Sequence, residues 1–210
     1  MNINEFSPQN GRMLGEDSKA RSILDPITHN PRNTNSDHSA VHYGMGMCMH
    51  LYTASIAPEA KHIYRFKGPT TLYAHIKGME VSGQGATVAV RLIKRATITV
   101  AGTEITGAIQ NLNDNAEVEP QSKVYDTNVE YTGGIVWCQK LAHGNTDSSG
   151  NKNIQSGASF VQNPNTEYVT KSGDTDYIIE IENLDDTNSL VHLNVNLFFY
   201  EEETGVATYS

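Results

Sequence analysis

Cysteine is scarce in this chain. There are two, Cys48 and Cys138, too few for the disulfide framework that holds small secreted domains together. Each lies in a strand-like apolar run where a thiol acts as a small buried hydrophobe, so both are expected to stay reduced. No Asn-x-Ser/Thr glycosylation acceptor occurs. The N-terminal stretch from Met1 to Arg12 lacks a basic segment followed by an apolar one, which argues against a secretory signal. The product is therefore expected in the cytoplasm when made. No window nears the ~18 consecutive apolar residues of a membrane helix, so no membrane partner is expected. Cations are outnumbered, with 15 Lys and Arg against 24 Asp and Glu for a formal charge of -9. Such a surface does not track phosphates, which argues against nucleic acid as a partner. Also missing are Gly-x-Ser-x-Gly, His-Glu-x-x-His and any phosphate-binding glycine loop.

What is present divides into two parts. Residues 1–37 are rich in Asn, Pro, Ser, Asp and Arg, their apolar residues come singly, and neither period 2 nor period 3.6 holds. The stretch reads as an extended N-terminal arm, closed by the turn-forming Asn30-Pro31-Arg32-Asn33-Thr34-Asn35-Ser36-Asp37. Such composition cannot by itself bury enough apolar area to offset ordering entropy. Either it is a disordered terminus or it is a tether that orders against a partner, with Arg12, Met13, Leu14, Ile23, Leu24 and Arg32 as the contact residues.

Residues 38–210 read as one β-domain. Val41, Tyr43, Met45, Met47, Met49 and Leu51 alternate with His42, Gly44, Gly46, Cys48, His50 and Tyr52 in a long period-two strand. Strand-prone runs follow at His62 to Phe66, Thr71 to Met79, Thr87 to Ile93, Thr97 to Val100, Val129 to Tyr131 and Ile135 to Leu141. Gly68-Pro69 and Ser82-Gly83-Gln84-Gly85 read as turns. Ala101 to Lys123 supports no assignment, and His143 to Ser156 reads as a loop rich in Gly, Asn, Asp and Ser. Tyr177 to Glu182 and Leu190 to Tyr200 alternate strongly, as antiparallel strands with one wetter face do. Only a weak Ser18-to-Leu24 turn, stopped by Pro26, has helical spacing. Roughly eight to ten strands without crossover helices point to an all-β antiparallel sandwich, a jelly roll being favoured over a barrel. Apolar residues at 38% of 210, below the usual ~45–50%, suit the thin core of such a single domain.

Candidate chemistry is sparse. His42 and His50 share a strand face, but eight residues of strand span roughly 26 Å, so they cannot hold one metal between them. Asp185-Asp186 lies in turn chemistry between strands. Asp147-Ser148-Ser149-Gly150-Asn151 only faintly resembles a calcium loop. Glu201-Glu202-Glu203 reads as a solvated chain end that deters edge pairing. Glu180 and Glu182 share a face, as a glycosidase pair must, yet alternation turns that face outward to solvent. The methionine stripe reads as core. No catalytic residue, cofactor or metal is assigned, and the chain is not expected to be an enzyme.

Asn163-Pro164-Asn165-Thr166-Glu167-Tyr168-Val169, then Tyr177-Ile178-Ile179-Glu180-Ile181-Glu182-Asn183, then Leu197-Phe198-Phe199-Tyr200-Glu201 form a succession that resembles the C-terminal half of a diffuse group of tailed-phage virion β-sandwich proteins. Asp37-His38-Ser39-Ala40-Val41-His42 and Thr70-Thr71-Leu72-Tyr73-Ala74-His75 extend the likeness, which covers most of residues 37–201. Asn10-Gly11-Arg12-Met13-Leu14-Gly15-Glu16-Asp17 is similar to the start of phage structural proteins. The resemblance implies a capsid cement, decoration or head-fibre protein on the virion surface, a homotrimer bound to the major capsid protein. The alternative is a tail-associated or receptor-binding module in which Trp137, the tyrosines and the 143–156 loop meet a glycan.

Overall fold

The computed structural model describes residues 44–115, 118–146, 152–156, 168–173, 175–186 and 190–203. The arm, with Arg12, Met13, Leu14, Ile23, Leu24 and Arg32, lies outside the described residues, as do His38, His42 and the 147–151 segment. Among the described residues no helix occurs, and the chain is a β-sandwich of two antiparallel sheets.

The first strand, β1 (Gly46–Ile56), is followed by β2 (Lys61–Lys67), β3 (Tyr73–Gln84) and β4 (Val88–Val100). Short pieces β5 (Thr103–Glu104), β6 (Ile109–Asn111) and β7 (Lys123–Asp126) lead to β8 (Glu130–Ala142). The hairpin β9 (Gly144–Thr146) and β10 (Lys152–Ser156) precedes β11 (Tyr168–Val169), β12 (Asp176–Asn183) and β13 (Val191–Glu202). One sheet has the order β6-β1-β13-β3-β10-β9, with β11 also on β3, and the other β5-β7-β2-β12-β4-β8. The chain therefore changes sheet at each step from β1 to β4, at β5 to β6, β6 to β7 and β8 to β9, and again at β11 to β12 and β12 to β13.

Alternation explains the core. Met47, Met49 and Leu51 of β1, Val191, Leu193, Val195, Leu197 and Phe199 of β13, and Tyr177, Ile179 and Ile181 of β12 all point between the sheets and are buried. Phe66 of β2 meets Phe199 edge-on across the gap, at 5.6 Å between ring centroids.

Four expectations change. Ser82-Gly83-Gln84 is not a turn, because β3 continues through Gln84. Gly83 is there for close approach, since a Cβ would sit 2.0 Å from the His192 carbonyl oxygen on β13. The 143–156 loop contains a hairpin whose β10 pairs with β3 from Val81 to Gln84. The separate runs around residues 87–100 and 129–141 are single thirteen-residue strands that pair with one another. That pair bends where Arg95, Gly133 and Gly134 take φ of 59°, 66° and 101°, values open mainly to glycine. The bend lays the tip of the ribbon over the outer face of its own sheet. Ile98 and Tyr131 there pack with Val129 on Ile93 and Ile178, a second, smaller apolar cluster.

Candidate functional site

Among the described residues, the outer face of the second sheet carries a network of paired charges. Register places Arg91 of β4 and Ile63 of β2 on either side of Glu180, and Lys61 of β2 beside Glu182. Arg91 Nη1 donates to Glu180 Oε1 at 2.8 Å and to Glu182, and Lys61 Nζ lies 3.2 Å from Glu180 Oε2. The bent ribbon then adds the Tyr131 hydroxyl, which donates to Glu180 Oε2 at 2.8 Å. Glu180, expected in solvent, is only 4% exposed, because the ribbon tip forms a cover that strand alternation alone does not reveal. Burial pushes its carboxyl up, but the bonds from Tyr131, Arg91 and Lys61 outweigh that and hold it below the ordinary value. Burial and the bonded carboxylate push the Tyr131 phenol up. A carboxylate held ionised and a phenol held neutral are poor proton donors near neutral pH. The network fastens the ribbon to the sheet.

Glu201 and Glu202 also depart from the reading as a solvated end. Glu201 is buried and accepts the backbone N–H groups of Gln121 at 2.9 Å and Ser122 at 2.8 Å, and Glu202 lies 3.2 Å from the ring of the fully buried His75. Asp185 sits in a turn, its N–H donating to Asn183 Oδ1 at 3.0 Å. Both thiols are free, burial pushing Cys48 up to about 11 and Cys138 up to about 12, so neither is a ready nucleophile. Among the described residues no group of three His, Cys, Asp or Glu could hold a metal. Met47 and Met49 are core.

Trp137 is the extra residue of a bulge between Leu92 and Ile93 of the partner strand, and a bulge re-aims its side chain. The indole stacks on Tyr177 at 5.6 Å, meets Tyr168 edge-on at 5.1 Å and has Lys94 Nζ 4.8 Å from its ring centre. Its faces are therefore engaged within the protein.

An open cleft lies elsewhere among the described residues, along the side of the sandwich where β1 faces β2, β5 and β7. It is a cleft of about 570 Å³. Leu51, Tyr64, Ile105 and Ala108 supply its less polar lining, and His50, Tyr52, Glu104, Asp126 and Thr127 contribute polar groups. The strand β6 covers β1 only from Met47 to Met49. Beyond that, the His50 N–H donates to the Ala108 carbonyl at 2.8 Å and the Tyr64 hydroxyl to the Tyr52 carbonyl at 3.0 Å. Tyr64 has a single proton, so the Thr53 hydroxyl, 2.8 Å away, is the donor of their mutual bond. Burial pushes the Tyr64 phenol up to about 12, which keeps that proton in place. Asp126 accepts the Thr127 N–H at 2.6 Å and faces His62 Nε2 at 3.0 Å, while Glu104 faces Lys123 at 3.1 Å. The Tyr52 side chain, in contrast, projects into solvent, the residue being 63% exposed.

Sequence reading missed this cleft because most of its wall comes from the 101–128 region, whose short β5 and β6 are too brief to show a period. One signal was available: Tyr52 is a large aromatic at a polar-face position of an otherwise clean alternation. No family model and no curated protein matches the chain.

Proposed function

We propose that this protein is a non-enzymatic virion structural protein, a cement or decoration protein that binds the major capsid protein shell of a tailed phage and stabilises the head. The observation that carries the reading is strand order. With the short additions set aside, β1-β13-β3-β10 faces β2-β12-β4-β8, an order that supports reading the sandwich as a jelly roll, an architecture used by viral capsid and lectin domains. The interior disposition of polar groups supports the same reading. Glu180, Glu201 and His75 are spent on internal contacts, which makes a stiff body suited to presenting surface. On this proposal the body is a homotrimer seated on the capsid, and residues 1–37, including Arg12, Met13, Leu14, Ile23, Leu24 and Arg32, extend its contact with the shell.

The test is to mix the gold-labelled protein with purified virions lacking it and image them in negative stain. Label distributed over the heads is the expected result. Label confined to tails would sink the capsid assignment and favour the tail-associated module.

A further inference from the structure

The cleft beside β1 has a combination of features that capsid attachment does not require. Its volume, about 570 Å³, falls within the range of roughly 300–1,000 Å³ typical of small-molecule sites. Its walls are held in place before any ligand arrives: the Ile105 N–H donates to the Val124 carbonyl at 2.8 Å, and the Ala108 carbonyl is tied to β1. The β7–β8 turn lies at its edge. Thr127 and Asn128 have φ of 57° and 61°, a left-handed conformation that is unfavourable for a β-branched residue and that persists where surrounding structure enforces it, often at binding sites.

The chemistry of the lining narrows the ligand. Tyr52 offers an exposed aromatic face, which attracts an apolar or C–H-rich surface. The lining of the same cleft also holds acceptors and hydroxyls: the carboxylates of Glu104 and Asp126, with Thr103, Thr106 and Thr127. Lys123 Nζ lies 3.1 Å from Glu104 and His62 Nε2 3.0 Å from Asp126, and a carboxylate has room for further donors beyond one partner. An anionic ligand would meet both acids, and a purely apolar one would desolvate the acceptor positions they still have open. A ligand with many hydroxyl donors and one C–H face satisfies both halves of the cleft. We infer that the cleft beside Tyr52 binds a neutral saccharide, its C–H face on the Tyr52 ring and its hydroxyls donating to Asp126 and Glu104.

This inference is independent of where the protein sits on a particle. The full chain is applied to an array of neutral glycans built from glucose, galactose and N-acetylglucosamine, alongside sialylated and phosphorylated ones. The best neutral oligosaccharide is then titrated against Tyr52→Ala and Tyr52→Phe by saturation-transfer NMR. The expected result is binding of neutral glycans, weakened about tenfold or more by Tyr52→Ala, since loss of one stacking contact is worth about a factor of ten, and retained by Tyr52→Phe. Tyr52 is exposed, so both variants are expected to melt with the wild type. No neutral glycan bound, preference for the anionic set, or equal affinity in Tyr52→Ala would each overturn the inference.

Discussion

Glu180 shows what one residue's surroundings decide. Period-two alternation correctly assigns it to the face opposite Ile179 and Ile181, yet the side chain is buried, because Tyr131 and the ribbon that carries it lie across that face. Its carboxyl is held below the ordinary value, with hydrogen bonds from Tyr131, Arg91 and Lys61 overcoming the opposing effect of burial. A depressed carboxyl contributes stability that is fully present above the unfolded-state value and is lost as pH falls through the folded one. Glu180→Gln is therefore expected to cost about 2 kcal/mol near neutral pH, where it removes the more buried of the two carboxylates paired with Arg91 and leaves only Glu182. The gap from wild type should narrow in strong acid, once the pH has fallen through the depressed value of the native carboxyl. Urea unfolding at both pH values checks this, and a gap of equal size at each would show that Glu180 is not ionised in the fold. Glu201 makes the same point: three glutamates in a row look like a solvated end, and only the fold brings the Gln121 and Ser122 N–H groups to one of them.

Among the elements, the β4 and β8 ribbon depends on its bend. Gly134 has φ of 101°, and a Cβ there would lie 2.6 Å from Ile93 Cγ2, so conformational strain and a clash act together. Gly173 has φ of 89° with nothing within 4 Å of the added atom, so only strain applies. Gly134→Ala is expected to destabilise by about 2–3 kcal/mol and Gly173→Ala by about 1 kcal/mol. Equal costs in chemical denaturation would mean that Ile93 moves aside freely and that the ribbon is not pinned at this point. In the sequence the glycine pair interrupts strand character between Val129 to Tyr131 and Ile135 to Leu141. What it does is turn one long strand, which takes knowledge of the β4 partner. Gly83 was misread for the same reason, since the nearby His192 carbonyl lies more than a hundred residues away in the chain.

For the molecule as a whole, the core cluster among the described residues runs from Met47 to Phe199, and the composition of residues 1–37 offers little apolar area to add to it. Deleting residues 1–37 is expected to leave the melting temperature within about 2 °C, a shift below that of a 1 kcal/mol change in a domain of this size, while abolishing co-sedimentation with phage heads. Unimpaired head binding by the truncated chain would remove the arm from the proposed attachment. The sequence by itself determined the all-β class and the inward residues of β1, β12 and β13, because side chains that alternate along one strand report a local geometry that needs no partner. Only the tertiary structure decided strand order, the burial of Glu180 and Glu201, the engagement of Trp137 and the cleft beside Tyr52. Each of those depends on segments distant in the chain meeting across a sheet or over its face, and a period-two pattern holds no record of which strand lies alongside or what covers it.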